Sequence, residues 1–163
     1  MKNQVYLGLG TNLGNKLKNL YNTIDLLSQN VGIITNRSLI YQSEPWGFEA
    51  KDSFYNIVIE IKTSFSPDQL LIEIQKIETQ IGRKVKTKVG YESRLIDVDI
   101  LLFGDLTVQK PLLKIPHLLN KERLFVLQPL LEILNHDSIF KIEYEHELKT
   151  AFKQKKLEKV EHL

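Results

Sequence analysis

The stretch Arg94-Leu95-Ile96-Asp97-Val98-Asp99-Ile100-Leu101-Leu102-Phe103-Gly104 constrains this chain more than any other. β-Branched and apolar residues dominate it and Gly104-Asp105 closes it like a turn, so it reads as a strand. Alternation predicts Ile96, Val98, Ile100 and Leu102 on one face, with Asp97 and Asp99 together on the other. Two carboxylates side by side on a sheet repel each other unless water or a cation neutralises them. A hard divalent cation such as Mg²⁺ takes such oxygen ligands, usually alongside substrate phosphates. The plainer alternative is a strand whose second face is simply wet and acidic.

The rest of the chain sets the frame for that strand. A length of 163 residues suits one domain with a real core, and 42% hydrophobic with 26% charged residues is ordinary for a soluble globular protein. No apolar run reaches the length of about eighteen residues that a membrane span needs. Met1 to Tyr6 enters a strand-like segment at once, without a signal peptide's apolar block. Cysteine is absent, which excludes a disulfide framework and thiolate chemistry. These features together point to the cytoplasm. The net charge of +2 is too small to argue for a nucleic-acid partner.

Taken in order, Gln4 to Leu9 reads as a first strand. Gly8, Gly10, Asn12 and Gly14 suggest a turn-rich loop before a helix through Leu17, Leu20, Ile24 and Leu27, capped by Asn12 or Asn15. The loop has neither a Walker lysine-serine pair nor the full dinucleotide spacing. A second strand is expected from about Ile33 to Ser43, then a loop from Glu44 through Asp52 holding the only tryptophan, Trp46. Phe54 to Thr63 is a third strand, with Tyr55, Ile57, Ile59 and Ile61 on one face and Phe54, Asn56 and Val58 on the other. Ser66-Pro67 opens a helix carrying Leu70, Leu71, Ile74, Ile77 and Ile81 that ends near Gly82.

Arg83 to Arg94 is a basic loop, and its lysines and arginines with few apolar anchors predict a lid over phosphates between Lys84 and Ser93. A short segment lies around Leu106 to Val108, Pro116-His117 leads into a helix from about Lys121 to Leu134, and the tail from Phe140 carries one possible short strand and a lysine- and glutamate-rich end that reads as a solvated helix. The order strand, helix, strand, strand, helix, strand is that of an α+β, ferredoxin-like βαββαβ core. It implies an antiparallel sheet with helices on one face, extra C-terminal helical elements, and a second face free to carry Asp97, Asp99, Asn56 and Phe54.

Asn56 offers both a donor and an acceptor to a planar heterocycle, and Phe54, Trp46 and Phe125 are aromatics able to stack on one. Taken singly, Phe54 and Phe125 read more often as core residues than as ligand platforms, Asn56 reads equally as a partner of neighbouring backbone, and a lysine-rich loop is most often only solvated.

Several segments in order closely resemble the 6-hydroxymethyl-7,8-dihydropterin pyrophosphokinase family. They are Leu7 to Gly14, Tyr41 to Gly47, Phe54-Tyr55-Asn56, Glu78 through Arg83, Arg94 to Gly104, Ile115-Pro116-His117 and Arg123 to Leu130. The resemblance spans about residues 4 to 134 and leaves 135 to 163 without an assigned role, within one domain of 1 to 163. It implies an ATP-dependent diphosphokinase of folate biosynthesis, which moves pyrophosphate from ATP to the hydroxymethyl oxygen of the pterin and releases AMP.

The resemblance also implies roles. Asp97 and Asp99 hold two Mg²⁺ ions and form the catalytic set with Arg83 and Arg94. Ser43, Glu44, Pro45, Trp46, Phe54, Asn56 and Phe125 bind the pterin, with Asn56 reading its edge. Gln75, Glu78, Arg83, Lys86, Lys88, Arg94, His117 and Arg123 bind ATP. Without the resemblance, His117 after Pro116 reads as a capping or buried polar residue. No side chain is assigned as general base. The chain departs from many relatives in the basic loop, where Lys86-Thr87-Lys88-Val89-Gly90-Tyr91-Glu92-Ser93 replaces an arginine and an aromatic. Lysine binds phosphate as a point charge, with less orientation than arginine.

ATP and the pterin are the expected partners of a monomer that binds neither nucleic acid nor membrane. Two alternatives stand beside this. Another ATP-dependent transferase on a flat heterocycle would keep the acidic pair without needing Asn56 and both phenylalanines. A ferredoxin-like RNA-binding module would want basic and aromatic residues where this chain places two acids, which repel phosphate unless a metal intervenes.

Overall fold

A computed structural model describes residues 2–45, 51–82, 93–152 and 158–160. Its elements are β1 (Asn3–Thr11), α1 (Lys16–Asn30), β2 (Gly32–Arg37), β3 (Tyr41–Ser43), β4 (Phe54–Thr63) and α2 (Pro67–Ile81). They continue with β5 (Asp97–Phe103), β6 (Val108–Lys110), β7 (Leu113–Ile115), α3 (Leu124–Ile133), α4 (Lys141–Phe152) and β8 (Glu158–Lys159). The main sheet is antiparallel with order β5-β1-β4-β3-β8, and β2 pairs with the far half of β4. This is the expected α+β, ferredoxin-like arrangement.

Side-chain alternation divides the sheet as the sequence pattern requires. Val5, Leu7 and Leu9 of β1, Ile57, Ile59 and Ile61 of β4, and Val98 and Ile100 of β5 pack against Leu20 and Leu27 of α1 and Leu70, Ile74 and Ile77 of α2. Both helices begin with side-chain caps. Asn15, and not Asn12, accepts from the Lys18 N–H, while Ser66 and Gln69 form a reciprocal capping box beside Pro67. Gly82 ends α2 with φ of 107°, a left-handed backbone that glycine adopts without strain.

Several expectations shift. Gly8 and Gly10 belong to β1 itself, which runs on to Thr11, and not to a loop. The expected second strand is two: Ser38 breaks it by turning its side chain into the ladder. Its hydroxyl accepts the Val58 N–H at 3.0 Å while its own N–H donates to Val58 O at 2.9 Å. In β5 the register slips, with Leu7 opposite Ile100 but Tyr6 opposite Leu102. Leu101 is the extra residue, so Leu102 leaves the first face and joins Leu101 in the second core.

That second core is where the extra helical elements sit. Val126, Leu127, Leu130 and Leu131 of α3 cover Tyr6, Val58, Leu101 and Leu102, and Tyr144 of α4 packs beyond them. The second face is therefore closed at one end and open at the other. The segment around Leu106 to Val108 proves to be the start of a hairpin, β6 with β7. The tail also differs from expectation, because α4 comes first and residues 158–159 form a strand against β3 where a solvated helix was expected. The expected lid, 84 to 93, lies outside the described residues except for Ser93.

The Ser38 junction yields a test. Ser38→Ala leaves the buried Val58 N–H without its acceptor and should cost about 1–3 kcal/mol in a urea titration. A loss under about 0.3 kcal/mol would show that the backbone closes the gap by itself.

Candidate active site

The open end of the second face is a pocket built on three adjacent strands. Gly10 lies opposite Asn56 of β4 on one side and Asp97 of β5 on the other, and Gly8 lies between Val58 and Asp99. Glycine at both positions leaves the middle strand without side chains there. A Cβ on Gly10 would stand 3.2 Å from Asn56 Oδ1, and one on Gly8 would press on the Leu101 side chain at 3.2 Å. The pocket thus has a bare floor between an amide wall and an acidic wall.

On the amide wall, Asn56 is 6% exposed, and its Nδ2 donates to Ser43 Oγ at 2.9 Å and Tyr41 O at 3.4 Å. Both bonds go to β3, so this neighbouring strand orients the amide and aims Oδ1 toward the floor. Phe54, Glu44 and Phe125, from the first turn of α3, complete this side.

On the acidic wall, Asp97 and Asp99 project together as alternation requires, and both line the pocket. Arg94 Nη1 meets Asp97 Oδ1 at 2.7 Å, while Arg123 Nη1 and His117 Nε2 stand 3.8 Å and 3.9 Å from Asp99 Oδ2. Burial and the Asp97 charge push the Asp99 carboxyl up to about 7, against the pull of Arg123 and Arg94. His117 is held below the usual imidazole range by burial and by the Arg123 charge, with Asp97 opposing. Its Nδ1 accepts the Leu119 N–H at 3.2 Å, which places the proton of the neutral ring on Nε2, facing Asp99.

Among the described residues, no group of three or more histidine, cysteine, aspartate or glutamate side chains converges as a closed metal site. Two neighbouring carboxylates open to a pocket suit a hard cation such as Mg²⁺, which completes its shell with water and phosphate oxygens.

Of the residues picked from sequence, Ser43, Glu44, Phe54, Asn56, Arg94, Asp97, Asp99, Arg123 and Phe125 line this one pocket. Pro45 follows Glu44 without lining it, and His117 adjoins it through Asp99. Gln75 is exposed on α2, away from the lining. Glu78 is 5% exposed and lies behind the acidic wall, its Oε1 accepting the Val98 N–H at 2.8 Å. Trp46, Arg83, Lys86 and Lys88 lie outside the described residues.

Two features were missed from sequence. The Gly8-Leu9-Gly10 spacing puts both glycines on the face of the acids, a signal present once that segment is read as strand. Asn12 is a buried junction: its Oδ1 accepts the Arg94 N–H at 2.8 Å, and its Nδ2 donates to Ser93 Oγ at 2.9 Å and Asp52 O at 3.4 Å. It thereby ties the end of β1 to both chain segments that enter the pocket rim, and nothing in local sequence announces it.

A profile of the 7,8-dihydro-6-hydroxymethylpterin-pyrophosphokinase (HPPK) family matches residues 6–135. The chain is 43% identical over 129 residues to the 2-amino-4-hydroxy-6-hydroxymethyldihydropteridine pyrophosphokinase of Aquifex aeolicus, covering 79% of each chain. It is 40% identical over 134 residues to the Bacillus subtilis protein of the same name, covering 82% of this chain and 79% of that one. In shape it resembles the Plasmodium falciparum HPPK-DHPS triple mutant, with a TM-score of 0.72 and 17% identity, over 94% of this chain and 45% of that one. The last likeness shows the fold alone.

The raised Asp99 carboxyl has a consequence for stability. Its ordinary value is 3.8 and its folded value about 7, so the folded protein holds a proton that the unfolded chain releases. Stability of the metal-free protein therefore falls as pH rises between those values. Asp99→Asn removes this contribution. In denaturant titrations with chelator at about pH 5 and about pH 7.5, the variant should gain stability relative to wild type at the higher pH. A difference independent of pH would contradict the assignment.

Proposed function

This chain belongs to the 7,8-dihydro-6-hydroxymethylpterin-pyrophosphokinase family, and from that premise we propose how its pocket carries out the family's reaction. The enzyme transfers pyrophosphate from ATP to the hydroxymethyl group of 6-hydroxymethyl-7,8-dihydropterin, a step of folate biosynthesis. The observation that carries the assignment of roles is the bare floor at Gly8 and Gly10, with Asn56 on one side and Asp97 and Asp99 on the other.

The pterin lies on the amide side. Asn56, held by Ser43 and Tyr41, reads the ring edge, while Phe54 and Phe125 stack on its faces. The absence of a Cβ at Gly10 lets the ring reach the Asn56 amide. Backbone groups near Ser43 and Glu44 complete its hydrogen bonds.

The nucleotide lies on the acidic side. Asp97 and Asp99 would hold the two Mg²⁺ ions that the resemblance implies, since both carboxylates open to the pocket. When bound there, Mg²⁺ neutralises phosphate charge and lowers the pKa of the attacking hydroxyl. Arg94 and Arg123 meet phosphate oxygens with planar forks that stay charged, and the His117 Nε2–H donates to them. The family resemblance also assigns Arg83, Lys86 and Lys88 to the nucleotide, and Glu78 acts from behind the wall through Val98. The work of these groups is positioning and electrostatics, which suffices for phosphoryl transfer. AMP is the second product. Among the described residues no helix is long and apolar enough to cross a membrane. We take the whole chain as one domain acting as a cytoplasmic monomer.

Incubation with ATP, Mg²⁺ and hydroxymethyldihydropterin should release AMP. ADP as the product would mean ordinary kinase chemistry and overturn the reading. Asp97→Ala and Asp99→Ala should each cut turnover at least about a hundredfold while circular dichroism stays native, because both side chains face the pocket. Gly10→Ala, whose new Cβ crowds Asn56 Oδ1, should raise the pterin KM roughly tenfold and leave the ATP KM near wild type, the effect of about one lost hydrogen bond. An unchanged pterin KM would remove Asn56 from the ring edge.

A further inference from the structure

The last helix lies beyond the family-matched residues 6–135, yet its Tyr144 hydroxyl accepts from Asn120, whose amide also donates to the strand that carries the acids. We propose that Tyr144 of α4 is a positioning residue for the nucleotide side of the site, acting through Asn120 and the Leu101 carbonyl on His117; the proposal rests on the reading of His117 as a nucleotide contact.

The link is continuous. Leu101 is the extra residue of the β5 bulge, without a partner in the register with β1, so its carbonyl is available outside the ladder. Two donors use it. The His117 N–H reaches it at 3.0 Å, and so does Asn120 Nδ2 at 3.0 Å. The Asn120 N–H closes the turn on His117 O at 3.1 Å. The turn that presents the imidazole is thereby hung from a single oxygen two residues beyond Asp99.

The second amide hydrogen of Asn120 goes to the Tyr144 hydroxyl at 3.3 Å. Asn120 and Tyr144 are 1% and 2% exposed, so water does not compete for these bonds. An amide is planar, so fixing one N–H fixes the direction of the other. The Tyr144 hydroxyl thus aims Asn120 at Leu101, and through it sets where His117 stands relative to Asp99.

Tyr144 is itself held firmly. Its ring stacks on Phe140 at 5.8 Å, and Lys141 Nζ donates to Leu131 O and Leu134 O at the end of α3. Packing alone does not account for Asn120, because its Oδ1 is buried without a hydrogen-bond partner among the described residues. An apolar side chain would fill that space without the unpaired acceptor.

Tyr144→Phe keeps the ring and removes only the hydroxyl. The affinity for Mg²⁺ with a non-hydrolysable ATP analogue, measured by calorimetry, should fall roughly threefold to tenfold, the effect of one neutral hydrogen bond. The pterin KM at saturating ATP should stay within about twofold. Asn120→Ala should show the same selective loss, and adding Tyr144→Phe to it should bring no further loss, since the tyrosine acts through the amide. Unchanged nucleotide affinity, equal losses for both substrates, or additive effects in the double variant would overturn the proposal. Absence of AMP formation in the wild type would instead defeat the underlying functional reading. If Tyr144→Phe does not fold, Asn120→Ala alone decides by the same two affinities.

Discussion

The repulsion between Asp97 and Asp99 is the constraint around which this molecule is arranged. Two carboxylates two residues apart on one strand share a face, and the rest of the fold makes that tolerable. Arg94 closes on one of them, and Arg123 and His117 stand near the other. Asn12 pins the backbone of Arg94 from the neighbouring strand end, and Glu78 accepts the N–H of Val98 between the two acids. The acids thus face the pocket on a strand fastened from both sides, with the Asp99 carboxyl held above its ordinary range by burial and by Asp97.

The two faces of the sheet divide the labour. One is a continuous apolar core under α1 and α2 and carries stability. The other is half core and half pocket, because α3 covers only Tyr6, Val58, Leu101 and Leu102. The same helix brings Phe125 to the pocket from its first turn, next to Arg123 at its N-terminal boundary. A helix that seals one end of a face and furnishes the other couples the packing of the second core to the geometry of the site.

Much of this was legible in the chain. Period-two alternation placed Asn56 and Phe54 opposite Ile57 and Ile59, and placed both aspartates on the face away from the first core. Capping signals located α2 from Ser66 to Gly82. What stayed hidden depends on contacts between distant residues. Leu102 changes face because β5 slips one residue against β1, and no local pattern encodes that slip. Ser38 interrupts a strand by bonding to Val58, twenty residues away in sequence. Gly8 and Gly10 look like turn residues until β4 and β5 are set beside them, when their missing side chains become the floor. Asn12 and Asn120 are ordinary asparagines in sequence, and only their partners reveal them as junctions.

The central claim is that the acidic strand and the Asn56 amide face one another across the glycine floor, with metal and phosphate on one side and a flat ring on the other. A crystal structure of the protein with Mg²⁺, a non-hydrolysable ATP analogue and the pterin tests it most directly. The account predicts oxygens of Asp97 and Asp99 at Mg²⁺ bonding distance, about 2.0–2.1 Å, from ions that also bind the triphosphate, with the ring edge on Asn56. A triphosphate bound away from both aspartates, or a ring that leaves the Asn56 amide unengaged, would contradict it.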